Sequence, residues 1–542
     1  MPALRVAAER ASDPAPRARA GAPSWWPLAA LVVLAAALRL PTLAQQSFWY
    51  DEAFSAVHVF HSSLSATLKA MVHTENSPPL WYLLGWVDVR VLGDGAFALR
   101  LPSALAGIAT VPVVWAIGRE LAGRSPIGRR AAAIVAAIVA VNPLFVWYSQ
   151  EARVYSLFVF TISLATLCFV RALAGESVAG RSRIGPRGRM AAFAASGSLA
   201  LLTHYFSVFL LAPMALWLLR DRARRRAGAG AVAVLALVGL ALVPLIVAQG
   251  GHGTQWIGRW ALSSRLEAIP QYYLTGASGA PLGHGIELLI ALPILAGVAL
   301  GAYALRGDAA ARARQGALLA LALAAGGVLA PLALALAGAD YLAPRNLVGA
   351  MIPVTVVIAV LFGAASATHA RARAGAPPEA RLALSDSALI AVALTCVTVV
   401  AFAAVCIDVS LSPRLQRGNW SGVARGLGPV GAQTAISTVE LASAPLEYYV
   451  GGLHKLRRGG AVTVSEIDEI GYAPLRNGAG EPPARGFRLV ARTDVDGLIT
   501  YRFRAPAPVL VSERALARAA PTQARPEVLV ARGARTLPSR ET

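Results

Sequence analysis

Two adjacent acids, Asp51 and Glu52, follow an aromatic triplet in "FWYDEAFSA" (48–56). A carboxylate in such a place has two readings. One is a general base that takes a proton from an acceptor hydroxyl. The other is an acidic loop behind an interfacial aromatic belt. Further candidates recur along the chain. "HTENSPPLWYLL" (73–84) carries His73 and Glu75 ahead of Pro78–Pro79, a pair that suits the first turn of a helix. A carboxylate and an imidazole there could hold a divalent metal ion or an acceptor, or Glu75 could merely favour a helix N-terminus. "WYSQEARVYS" (147–156) places Gln150, Glu151, Arg153 and Tyr155 between two apolar runs, and "THYF" (203–206) carries His204 and Tyr205. In "ADYLAPRNLVGAMIP" (339–353), Tyr341, Arg345 and Asn346 precede another run. A guanidinium beside the open N–H groups of a helix start makes an anion site; a snorkelling interfacial arginine is the bland alternative. An aromatic loop, "GHGTQWIGRW" (251–260) with "QYYL" (271–274), suits a lid or a sugar platform.

What must position these residues is a membrane. The 542 residues are 56% hydrophobic and 15% charged, too apolar for a soluble chain of this size. The net charge of +21 does not point to nucleic acid, because the arginines sit in short clusters between apolar runs. The three cysteines all fall in apolar runs and suggest neither a disulfide framework nor a metal cluster.

Apolar runs lie near 24–44, 97–118, 131–147, 154–175, 190–203, 205–219, 229–249, 285–305, 316–337, 346–367 and 386–408, which predicts about eleven transmembrane helices. The first run could also be a signal peptide ending at "TLA", but an uncleaved span is preferred. Arginine clusters at 119–130, 171–189, 220–226, 306–314 and 371–381, with a disordered tail at 1–23, define one cytoplasmic side. On that topology 78–93 is a helix lying at the outer interface. Residues 190–219 form a short hairpin with His204 at its tip. The transmembrane domain spans 24–408, with an outer loop at 45–96. After Pro413 the pattern changes to short strands and a helix, predicting a small extracytoplasmic α/β domain over 409–517 and a loosely ordered end over 518–542.

Asp51, Glu52, Glu75, Glu151, His204 and Arg345 then share the outer side. Acids, a candidate metal ligand and an anion-binding arginine converge where a lipid phosphate would lie. The combination suits transfer of a group from a lipid-phosphate donor, with a carboxylate base and Arg345, with or without a metal, at the departing phosphate.

In order and spacing, "YDEAFSA", "ENSPPLWYLLGW", "ALRLPSALAG", "NPLFVWYSQEARVYSL", "THYF", "YLAPRNL" and "QRGNWSGVA" resemble bacterial membrane glycosyltransferases of the C fold. These are the group related to protein O-mannosyltransferases and lipid A aminoarabinose transferase. The resemblance covers most of 25–425. It implies a polytopic α-helical membrane protein of the bacterial plasma membrane with an extracytoplasmic active site. It also implies a polyprenyl-phosphate-linked sugar donor and inversion at the anomeric carbon. By motif, Asp51 matches the catalytic base, with Glu52 beside it. Arg345, with Arg153, would meet the donor phosphate. Glu75, Gln150, Glu151, Tyr155, His204, Tyr205, Tyr341 and Asn346 would line the substrate cavity. Relatives have Glu-Lys ahead of the proline pair; here Glu75, Asn76 and Ser77 precede it, which weakens a metal role for Glu75 and His73. No cofactor is required, a divalent ion being the alternative, and the acceptor is a protein, a lipid or a wall glycan. A flippase of lipid-linked sugars and a non-catalytic scaffold are the competing classes.

Overall fold

The structure, a computed structural model, describes residues 25–123, 125–173, 185–221, 224–252, 254–279, 282–307, 310–367, 378–522 and 525–537. The expected tail at 1–23 lies outside them. Among the described residues, seven helices are long and apolar enough to cross a membrane: Ala96–Ala122, Tyr155–Leu173, Arg225–Ala248, His284–Ala304, Ala311–Leu336, Pro344–Ala367 and Asp386–Leu411. An eighth is broken. Pro126–Val141 and Pro143–Ser149 meet at 54°. Asn142 separates them, and its side chain caps the second piece by accepting from Leu144 and Phe145 N–H.

Eight of the eleven expected apolar runs fall in these helices; the runs at 24–44, 190–203 and 205–219 form helices outside that set. Trp26–Ala37 has 12 residues, ~18 Å at helical rise against a hydrocarbon core of ~30 Å. The 190–219 run folds as a hairpin of Pro186–Thr203 and Val208–Arg220, joined by a turn at Tyr205–Ser207. Leu211 of its second arm lies over Gly197 of the first. Leu80–Leu92 is a 13-residue helix that starts directly after Pro79.

Burial ranks the spans. Pro344–Ala367 is 89% buried and forms the axis of the bundle, whereas Arg225–Ala248 is 17% buried and faces outward. The small residues of the axis allow close approach: Gly363 sits on the backbone of Ala131, and Gly301 of a neighbouring span on that of Leu361. Arg345 is the second residue of this span, in a 3-10 stretch over Pro344–Ala350 that leads into the α-helix Met351–Ala367, so the most enclosed span carries that side chain.

Beyond Leu411 the chain forms a seven-stranded sheet: β1 (Thr434–Val439), β2 (Leu453–Lys455), β3 (Ala461–Tyr472), β4 (Arg488–Val495), β5 (Leu498–Ser512), β6 (Pro526–Ala531) and β7 (Thr536–Leu537). The order is β2-β6-β1-β3-β5-β4, with β7 on β3; only β1–β3 is parallel. The segment 442–456, expected as one helix, is split. Gly451 and Gly452, at φ 74° and 64°, end the helix Ser443–Val450, and "LHK" becomes β2. The loose end expected over 518–542 is also corrected for its described part, since β6 lies between β1 and β2 and buries Leu529 and Val530. Its apolar residues close the sheet, a long-range pairing that local composition does not reveal.

One face of this sheet packs Trp420–Leu427 and Ser443–Val450, with Tyr50 from the outer loop against the same cluster. That contact docks the domain onto "FWYDEAFSA". Tyr449 Oη accepts from Phe48 N–H at 2.8 Å, and Tyr448 Oη donates to Asp94 O at 3.1 Å.

Candidate active site

Asp51 and Glu52 occupy a five-residue helix, Tyr50–Phe54. Successive helical residues point about 100° apart, and the two carboxylates go to different surroundings. Glu52 turns inward and is fully buried. Its Oε1 accepts from Arg100 Nε at 2.7 Å and Ala152 N–H at 2.8 Å; its Oε2 accepts from Arg100 Nη2 at 2.8 Å and Trp49 N–H at 2.9 Å. Arg417 Nε adds a second charge at 3.7 Å. Burial raises the carboxyl, but Arg100 and Arg417 outweigh that and hold it at about 2. Glu52 has no face left for a substrate. Glu52, expected as a catalytic residue beside Asp51, is enclosed by the protein's own donors.

Arg100 does more than neutralise Glu52. It donates to the carbonyls of Leu43, Gln46 and Ser47, gathering the segment that leads into the short helix. Arg417 donates to Gln46 Oε1 and to Glu151 Oε2, both at 3.1 Å, and stacks on Trp147 at 3.9 Å. Sequence reading did not single out either arginine. The available signal was a charge inside an apolar run for Arg100, since such charges are costly unless they have a task. Arg417 lies in "QRGNWSGVA", one of the motifs that carry the resemblance, but nothing in that motif marked its side chain.

Asp51 points the other way. Its Oδ2 accepts from Arg345 Nη1 at 2.9 Å, and its side chain is a quarter exposed (25%). Burial raises the Asp51 carboxyl, but Arg345 and Arg153 prevail and hold it below the usual carboxylate range. Arg345 is itself well seated. Arg265 grips Asp340 with two bonds, at 2.6 and 2.7 Å, and donates to Leu342 O, fixing the approach to the helix. Trp256 lies 4.7 Å from the Arg345 guanidinium and Tyr155 5.9 Å.

Arg153 was expected at the donor phosphate. It instead clasps Glu75 with two bonds at 3.0 and 3.1 Å and donates to Ser55 Oγ at 2.8 Å. Both are buried, so this pair is a buttress beneath Asp51. Glu75 is thus held by Arg153 and Ser55 and not by His73. Glu75 is enclosed by donors, and His73 is exposed on the surface. Among the described residues no three His, Cys, Asp or Glu converge as a metal-binding group.

Several expected cavity residues serve the scaffold. Gln150 donates to Thr42 Oγ1 at 2.6 Å and Arg39 O at 3.1 Å. His204 stacks on Phe158 at 4.6 Å and caps its own turn through Nδ1. Tyr205 donates to Gln249 Oε1 at 2.7 Å, and Gln249 donates to Met71 O and Ser77 O. Asn346 donates to Tyr341 O at 2.9 Å, leaving the Tyr341 ring 47% exposed.

Two cavities flank the Asp51–Arg345 pair. One, of about 290 Å³, has Arg345, Arg417 and Glu151 in its wall with Trp49, Trp147, Tyr148, Trp256, Trp260 and Tyr272. The other, of about 400 Å³, has Asp51 in its wall and lies against the C-terminal domain. Burial raises the Glu151 carboxyl above its ordinary value, Glu52 and Asp51 adding to the shift against the pull of Arg417. The first cavity is suited to a phosphate and a ring, because guanidinium donors and aromatic faces meet there. The second presents an accepting carboxylate to whatever enters from the domain side.

The sequence model of the dolichyl-phosphate-mannose-protein mannosyltransferase family matches residues 76–247. No curated protein sequence matches the chain. Among solved structures, ArnT of Cupriavidus metallidurans bound to undecaprenyl phosphate is 14% identical, with a TM-score of 0.51 over 89% of this chain and 98% of that one. The oligosaccharyltransferase of Archaeoglobus fulgidus in the apo form is 14% identical, with a TM-score of 0.49 over 79% of this chain and 64% of that one. The Pmt1-Pmt2 protein O-mannosyltransferase complex of S. cerevisiae is 19% identical, with a TM-score of 0.32 over 41% of this chain and 33% of that one. The class defined is a multi-pass membrane protein with the C-type glycosyltransferase fold. Within it, the expected relationship to the group of protein O-mannosyltransferases and ArnT is borne out.

Proposed function

We propose that this protein is an inverting glycosyltransferase. It moves a sugar from a polyprenyl-phosphate donor to an acceptor hydroxyl at the extracytoplasmic face of a bacterial plasma membrane. The observation that carries the reading is the Asp51–Arg345 pair between two cavities, one rich in arginine and aromatic rings. The fold shared with an ArnT that binds undecaprenyl phosphate supports a lipid-linked donor. The absence of arginine clusters from the segments that carry Asp51 and Arg345 supports the face.

In this reading the donor phosphate enters the aromatic cavity and takes over the Arg345 guanidinium. Asp51, relieved of its partner, faces the acceptor hydroxyl. The acceptor oxygen forms a bond to the anomeric carbon as the bond from that carbon to the phosphate oxygen breaks. The hydroxyl proton passes to Asp51, and the electron pair leaves with polyprenyl phosphate. Arg345 and Arg417 neutralise the departing charge, the part a divalent ion would otherwise play. No step is assigned to a metal, because guanidinium groups already hold the carboxylates that would bind one.

The test supplies purified protein with a panel of labelled polyprenyl-phosphate sugars. Release of polyprenyl phosphate by the wild type and its loss in Asp51→Asn supports the reading. Equal release by both discards Asp51 as base.

A further inference from the structure

The 400 Å³ cavity has one wall from the short helix of the outer loop, with Tyr50, Asp51 and Phe54, and the other from the C-terminal domain. The two cavities share no lining residue, yet a 2.9 Å ion pair joins a residue of each. Inversion requires the nucleophile to approach opposite the leaving group. Two separate spaces joined only by this ion pair allow donor and acceptor to be held apart from each other. We infer that the C-terminal domain completes an acceptor subsite in the second cavity, and that its occupant is the hydroxyl-rich end of a glycan. This rests on the transferase reading and assigns the domain its part in it.

The lining chemistry selects the occupant. Tyr50 and Phe54 offer aromatic faces on which the C–H side of a sugar ring can lie. Opposite them stand Glu447, His454, Lys455 and Arg532, planar or charged groups that bond hydroxyls. Glu447 meets His58 at 3.4 Å, and both are partly exposed, so the pair can open to a competing hydroxyl without stranding a buried charge. A volume of 400 Å³ is that of a ligand-sized pocket rather than a peptide groove. A peptide that binds by adding a strand would need a sheet edge, and the edge strand here, β2, has only three residues. A lipid acceptor would need an apolar path, and the opposing wall belongs wholly to the domain beyond the last span. The rim carries an uncommon backbone conformation. Leu441 holds φ 72°, a conformation L side chains rarely adopt, and its neighbour Glu440 meets Arg259 at 3.4 Å.

The experiment measures binding to the full chain in nanodiscs without donor. Short linear gluco- and manno-oligosaccharides and serine/threonine peptides are tested by saturation-transfer NMR. Polyprenyl-phosphate affinity is measured separately. Two variants are used: Ser443→Trp, which fills the cavity from a half-buried position, and the isosteric Glu447→Gln. We expect at least one oligosaccharide to bind the wild type, and both variants to weaken it by about tenfold or more with polyprenyl-phosphate affinity unchanged. Binding of a saccharide equally to all three proteins overturns the inference. So does binding of peptides alone, or of no member of the panel. If saccharide binding behaves as expected but no donor releases polyprenyl phosphate, the transferase reading fails and the subsite stands.

Discussion

Asp51 and Glu52 are adjacent in the chain and opposite in circumstance: Glu52 is sealed between Arg100 and Arg417, while Asp51 meets Arg345 at the edge of a cavity. The pair that looks uniform in sequence divides into one residue enclosed by the protein's own donors and one that is paired with Arg345 and a quarter exposed. The two should therefore fail differently when substituted.

Asp51→Asn is expected to lower turnover by about 10²–10⁴-fold, the usual worth of a positioned general base, while polyprenyl-phosphate binding persists. Single-turnover release of labelled polyprenyl phosphate, with a parallel binding isotherm, checks this. Retained turnover, or lost lipid binding, would contradict it.

Glu52→Gln should damage the fold. It leaves the buried Arg100 guanidinium without its counter-charge and Arg417 with Glu151 alone, a loss of roughly 3–5 kcal/mol for a broken buried pair. Thermal unfolding in nanodiscs should show a clear drop in Tm that Asp51→Asn lacks. Similar Tm values for the two variants would mean that Glu52 is not the clamp described here.

The pH profile follows from the depressed Asp51 carboxyl. Its folded pKa lies below the unfolded one, so the stability it contributes is present above the unfolded value and is lost as pH falls through the folded value. As a base it stays ionised through the usual carboxylate range. In Arg345→Ala the opposing cation is gone while burial remains, so the acid limb of kcat/KM should move to higher pH. An unmoved limb would show that the pair does not set the ionisation of Asp51.

In the C-terminal domain, Glu469 is fully buried, and neither carboxyl oxygen has a hydrogen-bond partner. Burial pushes its carboxyl up to about 8. Here the folded state holds a proton that the unfolded state releases, so stability falls as pH rises from the ordinary glutamate range to about 8. Glu469→Gln should stabilise the protein at pH ~8 by about 1–3 kcal/mol and flatten that dependence. Urea or thermal unfolding at two pH values decides it.

The contrast between Arg345 and Arg417 shows what the sequence could yield. Arg345 stands at the start of an apolar run on the arginine-poor side, so local pattern marked it. Arg417 sits in a motif that resembles the family without marking its side chain, whose meaning depends on Gln46, 371 positions away. Arg153 was expected at the donor phosphate and Glu75 in the substrate cavity, but the two are buried and bonded to each other. His204, Gln150 and Tyr205 show the same limit. A polar residue at a helix end has equal claim to a cavity and to a cap, and only the fold chooses. The spans were legible from apolar runs, whereas β6 was not, because its place between β1 and β2 is a non-local pairing.

Arg417 lies after the last span, yet its guanidinium is enclosed by the outer loop and the membrane bundle. The connecting segment also carries Ser421, whose N–H meets Ser47 Oγ at 3.1 Å. Exchange of the C-terminal domain between lineages as a ready-made cassette would break the clamp if the seam fell at the end of the last span. A working chimera must keep the receiving protein's own residues through Ser421. In this chain the boundary a recombination event can respect lies inside the soluble part, some way past where the lipid ends.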